Sequence, residues 1–286
     1  MIDLCVVGDL KWLVALSMPR IPLLGEGTVV RGIERILGND AAIVSLLAAR
    51  LGLRCQLLAT NAIATHDGQP LIDLLQHEGV DLSLVNTGGA TTPTTFLLSC
   101  EGSDKRTWMI EECAFHNPTF ALPPASRFAY IDIYEGHIEE RLTLIQRWAQ
   151  ANVRCLVNLS DSHIEEKVKV ISRASSIDTL QIGGGSRGVD ASRIWGRCIF
   201  RMCNARAVII TLGNLGAVLV DRDDSYYVPA EPIQPLRTIG AGASFAAGFL
   251  FALGQDATYK EAVVFASKHA ASFCMLEKDP LDAMKR

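Results

Sequence analysis

Three small residues, Gly240, Ala241 and Gly242, stand directly before an almost wholly apolar stretch that ends at Gly254. Small residues let a backbone come close to a ligand, and an apolar run of this length after a glycine-rich turn predicts a buried helix. The first N–H groups of such a helix have no internal partner and lie at the positive end of its dipole. The pattern predicts an anion site, typically for phosphate, although a tight turn before a core helix would leave the same spacing.

A second glycine-containing turn lies upstream, in the segment 207–220, where two apolar runs flank Gly213, Asn214 and Gly216. Asn and Gly are the residues that a β-hairpin turn prefers, so an ordinary hairpin is one interpretation. The Gly-Ala-Gly sequence that follows favours the other interpretation, in which this turn contacts a nucleotide.

The stretch from Thr238 to Gly248 resembles the C-terminal signature of the ribokinase-like (PfkB) family of sugar and nucleoside kinases, usually D-T-x-G-A-G-D-x-F-x-x-G. The resemblance extends over essentially the whole chain and is strongest at 207–217 and 238–254. In that family ATP, with Mg²⁺, phosphorylates a hydroxymethyl group of a small sugar, sugar derivative or nucleoside. The resemblance implies that Gly240–Gly242, including Ala241, stabilise the charge on the transferred phosphoryl group.

The resemblance also implies which residues bind the ligands. The segment 211–216 is similar to the family's T-x-G-x-x-G sequence, which lies against the nucleotide. The expected nucleotide-binding residues are Thr211, Gly213, Gly216, Thr238, Gly242 and His269. His269 is equally consistent with a packed or surface position on the last helix.

The acceptor site is expected near the start of the chain. The family carries a G-G-N-x-x-N-like pattern that contacts substrate hydroxyls, and this chain retains Gly38 and Asn39 of it. The expected substrate-binding residues are Asp9, Gly38, Asn39 and Asp40. Asp40 is also a candidate N-cap of the helix that follows, because Asp and Asn both suit that position.

Three departures from the family pattern concern the chemistry itself. Ala243 stands where the family has the Asp that acts as catalytic base, and Arg237 stands where it has the preceding Asp. The family's N-x-x-E motif, whose Glu helps to hold magnesium and phosphate, has no counterpart near the segment 182–188. The chain is therefore expected to be inactive or crippled as a kinase.

Three hypotheses account for these departures. Ala243 is an engineered knockout of the base, or the chain is a natural pseudokinase that binds nucleotide or sugar as a regulatory module. In the third, the base lies elsewhere, with Asp9 or Asp40 as candidates. Leu13, close to where the family has a sugar-binding Asp, supports the second hypothesis, as does Arg237.

Alternating strand-like and helix-like segments predict an α/β fold with a mostly parallel central sheet flanked by helices. We expect strands at 2–7, 54–60, 128–134 and 153–159, and helices at 40–52, 70–79, 139–150 and 259–275. Short pieces broken by Pro and Gly at 11–36 predict small strands and turns. The resemblance implies that they form, together with 90–110, a small β-sheet lid. We expect one ribokinase-like domain over residues 1–286, with lid segments that mediate a homodimer or close over the substrate.

Composition excludes several other classes. The chain has 286 residues and a formal net charge of −4, which gives no argument for nucleic acid or for a membrane surface. Its eight scattered cysteines form no C-x-x-C pair, and Met1–Leu10 lacks a basic start, so we expect a reducing cytoplasm and no signal peptide.

Two other catalytic motifs are missing from the sequence. The six histidines form no H-x-x-x-H pattern, and no P-loop occurs. Gly183, Gly185 and Gly188 match G-x-G-x-x-G, but no acidic residue follows about 20 positions later, which disfavours a nicotinamide site. No metal-ligating residues are predicted.

Overall fold

The computed structural model describes residues 2–100, 102, 106–113, 126–134, 138–159, 163–174 and 177–284. Its strands, in chain order, are β1 (Ile2–Gly8), β2 (Lys11–Met18), β3 (Gly32–Gly38), β4 (Cys55–Ala59), β5 (Thr94–Cys100), β6 (Arg106–Ile110), β7 (Ser126–Ile133), β8 (Arg154–Leu159), β9 (Ile177–Gly183), β10 (Ala205–Thr211), β11 (Ala217–Asp221) and β12 (Ser225–Val228). Its helices are α1 (Asp40–Arg50), α2 (Thr65–His77), α3 (Ile138–Gln150), α4 (Ile164–Ile171), α5 (Val189–Cys203), α6 (Ala241–Gly254) and α7 (Tyr259–Cys274), with a 3₁₀ turn at Gly213–Leu215.

The larger sheet has eight strands in the order β12-β11-β10-β9-β8-β7-β1-β4. The six strands from β4 to β10 in this order run parallel, and β11 and β12 complete the sheet as an antiparallel edge. The parallel strands are apolar almost throughout because helices cover both of their faces. The predicted mostly parallel α/β architecture is thereby confirmed.

Each face of this sheet has its own core. One core joins the sheet to α1, α6 and α7 through buried residues such as Val44, Phe249 and Val263. The other joins it to α3, α4 and α5, with Ile145, Val168 and Ile199 among its members. The parallel arrangement brings the carboxyl ends of the strands to one edge, where ligands bind in open α/β sheets.

A separate four-stranded sheet, here called the lid sheet, has the order β3-β2-β5-β6. Its outer pairs are antiparallel, whereas its central pair, β2 and β5, is parallel. β2 and β5 come from distant parts of the chain, so the lid sheet is assembled from two hairpins. The expected lid segment 90–110 contains β5 and β6, although residues 101 and 103–105 within it lie outside the described residues.

Candidate nucleotide and substrate site

The glycine-rich turn before the apolar run forms the start of α6, as the sequence predicts. Gly240 has φ 84°, a left-handed conformation that favours glycine. A Cβ on Gly240 would lie 3.1 Å from the Phe273 ring, whereas a Cβ on Gly242 would meet no atom within 4 Å. Gly242 is exposed and Ala243 is fully buried. The first turn of α6 therefore presents an open backbone surface at Gly242.

Buried polar side chains face this turn from the carboxyl end of the sheet. Asp132, Asn158 and Gln181 lie side by side in register on β7, β8 and β9. The Gln181 side-chain amide donates to the Gly242 carbonyl oxygen over 3.1 Å. Directly opposed residues in a sheet project to the same face. The row, here called the polar row, thus runs beneath the first turns of α1 and α6.

Asp40 lies over the middle of the polar row. Its Oδ2 accepts a hydrogen bond from Asn158 Nδ2 at 3.0 Å and a second from the Tyr134 hydroxyl. Asp40 is the first residue of α1 rather than its N-cap, and Asn39 in the cap position makes no side-chain cap bond. The predicted N-cap role of Asp40 is therefore wrong, because its carboxylate is turned toward the sheet edge.

The pKa of the Asp40 carboxyl is raised. Burial is the largest cause, and the hydrogen bonds from Tyr134 and Asn158 oppose it only in part. None of these partners carries a positive charge. The carboxyl thus takes up a proton more readily than an exposed aspartate would.

Asp9 has different surroundings. Its carboxylate lies 2.9 Å from Lys11 Nζ and 3.4 Å from the Arg141 guanidinium, and it accepts a hydrogen bond from the Thr60 hydroxyl. Burial alone would raise the pKa of Asp9, but these charges outweigh it and the pKa is lowered. Asp9 is consequently an ionised, paired carboxylate at the end of β1.

Asp132 is a completely buried carboxyl that the sequence did not single out. Its Oδ2 accepts from the Ala41 N–H at 3.1 Å, and Arg141 lies 4.0 Å from Oδ1. Burial raises its pKa to about 7, and the negative charges of Asp9 and Asp40 act in the same direction. Asp132 therefore changes protonation state near neutral pH.

Gly38 and Asn39 join the lid sheet to α1. A Cβ on Gly38 would lie 2.8 Å from the Leu13 amide nitrogen, so close strand packing accounts for this glycine. Asn39 has φ 68°, an uncommon value for a residue other than glycine, and its buried Oδ1 has no hydrogen-bond donor. The backbone strain falls beside Asp40, where the acceptor site is expected.

The two glycines of the turn after β10 have different surroundings. Gly213 has φ 58° with open space around it, whereas a Cβ on Gly216 would lie 2.1 Å from the Val228 carbonyl oxygen. Thr211 closes β10 opposite Gly183 of β9. Gly216 thus has a structural reason to be glycine, and Gly213 leaves an accessible backbone.

Two arginines reach the segment before α6. Arg106, at the start of β6 in the lid sheet, donates to the Thr238 hydroxyl. Arg237 forms an ion pair with Asp279. The contact between Arg106 and Thr238 connects the lid sheet to the predicted nucleotide segment.

His269 packs α7 against α6. Its Nδ1 lies 2.9 Å from Ser244 Oγ and 3.0 Å from the Ser244 carbonyl oxygen, and its ring stacks on Phe265. Gly248 permits this approach, because a Cβ there would be 3.1 Å from the Cβ of His269. Burial lowers the pKa of His269. A contact between His269 and a nucleotide remains a prediction.

The members of the polar row were missed because each is a single polar residue inside an apolar strand. The segments are A-Y-I-D-I, L-V-N-L and T-L-Q-I, and each polar residue lies one or two positions before its strand ends. A polar residue near the carboxyl end of a buried parallel strand is a usable signal. Three such residues in neighbouring strands would have predicted the row.

Within the described ranges, no group of three His, Cys, Asp or Glu side chains is arranged to hold a metal ion. The described helices also include none that is long and apolar enough to cross a bilayer.

Known proteins are similar to this chain in sequence. Residues 190–279 match the family described as pfkB family carbohydrate kinase. Aminoimidazole riboside kinase of Salmonella typhimurium is 24% identical, over 83% of this chain and 80% of its own length. Fructosamine kinase FrlD of Bacillus subtilis is 42% identical over 72 residues, which are 24% of this chain and 25% of its own length.

Solved structures show the same fold. The ribokinase of Cryptococcus neoformans var. grubii serotype A, in complex with ADP, superposes with a TM-score of 0.83 at 17% identity, over 98% of this chain and 96% of its own. The family match contains the start of α6, and the fold extends over the whole chain. The chain thus contains a segment that matches the pfkB carbohydrate kinase family, within a ribokinase-like fold.

Proposed function

We propose that residues 1–286 form one kinase-like domain that binds ATP and a small sugar, sugar derivative or nucleoside, and transfers phosphate to a hydroxymethyl group slowly or not at all. The observation that carries this proposal is the start of α6. There Gly242 presents an open backbone next to the polar row. Relatives named as sugar or nucleoside kinases, such as aminoimidazole riboside kinase, support the same class of ligand.

The phosphate end of the nucleotide is assigned to Gly240–Gly242. Backbone N–H groups at a helix start favour negative charge and need little reorganisation as charge develops on a transferred group. Phosphoryl transfer depends mainly on such positioning and electrostatics. Thr211 and Gly213 are assigned to the rest of the nucleotide, because Gly213 has open space around its backbone.

The acceptor is assigned to the crevice between the first turns of α1 and α6, above the polar row. Asp9, Asn39 and Asp40 border this crevice from the side of the lid sheet. The hydroxyl proton would have no acceptor at position 243, because the alanine methyl group cannot take up a proton. Loss of a positioned base typically lowers the rate by about 10²–10⁴-fold.

The described residues form no site that would hold Mg²⁺. The turn between β9 and α5, where the family has its N-x-x-E motif, contains no carboxylate between Gly183 and Gly188. Asp190, the first acidic residue after it, is exposed and lies 3.5 Å from Arg193. We therefore assign no residue of this chain to the metal.

The runner-up is a natural pseudokinase that binds nucleotide or sugar as a regulatory module. The absence of the base at 243 and of a carboxylate after β9 supports it, as does Arg237, which is ion-paired with Asp279. A substitute base is the third candidate. Asp40 suits that role better than Asp9, because Asp9 is ion-paired with Lys11 and Arg141.

The test is a calorimetric titration with ATP, with and without Mg²⁺, followed by an assay of ATP consumption over pentoses, hexoses, polyols and nucleosides. Saturable ATP binding is expected under both hypotheses, and slow turnover only for a crippled kinase. No heat and no thermal shift at millimolar ATP would overturn the proposal.

A further inference from the structure

We propose that the acceptor carries a positively charged amino group, and that Asp40 is the residue that recognises it. The inference rests on the proposed function, since it concerns the same crevice. It deepens that function by naming the chemical class of the ligand, an amine-bearing sugar, polyol or nucleoside.

The acidic residues at this edge of the sheet are not all paired with cations. Lys11 and Arg141 are the described cations that contact these acidic residues, and both face Asp9, at 2.9 and 3.4 Å. Arg141 lies 4.0 Å from Asp132 as well. No described cation pairs with Asp40, whose hydrogen-bond partners are the neutral groups of Tyr134 and Asn158. A buried carboxylate without a cation is costly unless a ligand supplies one.

Several acceptor oxygens near Asp40 receive no hydrogen bond. Both hydrogen bonds to Asp40 go to Oδ2, and no described residue donates to Oδ1. At the same edge of the sheet, three buried oxygens have no donor: Asn39 Oδ1, Asp132 Oδ1 and Gln181 Oε1. Buried polar atoms in native proteins are nearly always paired. Several N–H or O–H donors on a ligand would therefore favour its binding at this edge.

An ammonium group meets both requirements at once. It has three donors and no acceptor, and its charge matches that of an ionised Asp40. A neutral hydroxyl offers one donor and no charge. The pKa of Asp40 is raised by burial, and a bound ammonium group would favour the ionised form and lower it.

The experiment uses matched pairs of ligands on the full chain. D-glucosamine is compared with D-glucose and N-acetyl-D-glucosamine, 1-amino-1-deoxy-D-sorbitol with D-sorbitol, and 5′-amino-5′-deoxyadenosine with adenosine. Each is titrated calorimetrically at pH 7, with and without ADP. The variant Asp40→Asn keeps the shape and removes the charge. Asp73→Asn, an exposed acid on α2, is the matched control.

At least one amine should bind the unmodified chain about 10- to 100-fold more tightly than its hydroxyl and N-acetyl counterparts, the effect of a hydrogen bond to a charged group. Asp40→Asn should abolish that preference without lowering the melting temperature, and Asp73→Asn should preserve the preference. The inference is overturned if no amine exceeds its neutral counterpart, or if Asp40→Asn weakens both members of a pair equally. The ADP titration reports on the nucleotide site separately, so its failure would count against the proposed function and not against this inference.

Discussion

The side-chain amide of Gln181 donates a 3.1 Å hydrogen bond to the carbonyl oxygen of Gly242, and thereby joins the end of β9 to the first turn of α6. The other amide atom, Oε1, is buried without a donor. A residue that is half satisfied in this way stabilises the fold less than an apolar residue of similar size could. A role in ligand binding explains a glutamine at this point better than a role in folding does.

Gln181→Leu should therefore separate stability from binding. We expect a melting temperature that is unchanged or higher, because a buried unpaired oxygen is removed. We also expect ATP affinity to fall by about fivefold, equivalent to roughly 1 kcal/mol, because the α6 turn loses its anchor. Thermal melts and ATP calorimetry on the same sample measure both. A variant that melts lower and binds ATP normally would contradict this explanation.

Gly242→Val should block the anion site without harming the fold. The Cβ position at Gly242 is empty to 4 Å and the residue is exposed, so the side chain would fill only the space assigned to phosphate. ATP affinity should fall by more than about tenfold, or 1.4 kcal/mol. Gly27→Val is the control, because Gly27 also has open space around it and lies outside the crevice. Equal ATP affinity in the two variants would remove the assignment.

Ala243→Asp tests whether the chain is a kinase without its base. The new carboxylate would lie in the first turn of α6, where the helix dipole favours the ionised form. Turnover on the correct acceptor should rise by about 10²–10⁴-fold, measured as ATP consumption. Ala243→Asn introduces a side chain with the shape of Asp but without a basic carboxylate. Its turnover should equal that of the unmodified chain. If neither variant consumes ATP although ATP still binds, the result favours the pseudokinase hypothesis.

Asp132 should give stability a distinct pH dependence. Its pKa is about 7 in the folded chain, against an ordinary aspartate value of 3.8. Between these values the folded state holds a proton that the unfolded state has released, so this contribution is complete at pH 4 and is lost as pH rises through 7. Asp132→Asn should raise the free energy of unfolding at pH 8, by at most about 4 kcal/mol, and change little at pH 4.

Denaturant unfolding of both proteins from pH 4 to pH 8 measures this difference, with Asp73→Asn as the control for loss of one exposed acid. A difference between Asp132→Asn and the unmodified chain that is the same at every pH would show that Asp132 keeps an ordinary pKa.

We expect the protein to self-associate through the lid sheet. Ile33, Phe96 and Met109 lie on one face of that sheet, in rows fixed by strand register, and are all exposed. A homodimer would cover this apolar face. Ile33→Glu should give a monomer in light scattering at micromolar protein. Ile194→Glu on α5 is the control, because both isoleucines are 70% exposed. An unmodified chain that is monomeric at all concentrations would contradict the dimer.

The sequence predicts the main sheet well because its strands are short apolar runs between turn residues. β1, β4, β7 and β8 lie within one or two residues of the expected positions. α4 and α5 were not among the predicted elements. The pairing of β2 with β5 could not be read from the chain either, because it joins segments about 80 residues apart that carry no local signal.

For the candidate site, the sequence singles out the start of α6 through glycine spacing, and Asp9 and Asp40 through the resemblance to the family. It does not identify Asp132, Asn158 and Gln181 as a set. Their proximity depends on the register of three parallel strands whose connections run through helices, and register is a property of tertiary packing. Likewise, the opposite charge environments of Asp9 and Asp40 depend on Lys11 and Arg141, which adjoin only the former.

One residue, Asn39, separates the last residue of β3 from the first residue of α1. The lid sheet therefore has a rigid mechanical linkage to the helix that carries Asp40, and it offers only one pair of backbone torsions to absorb any displacement. If the sheet tilts toward or away from the crevice, the Asp40 carboxylate must rotate with it or break its bonds to Tyr134 and Asn158. Movement of the lid sheet is therefore coupled to the position of the Asp40 carboxylate.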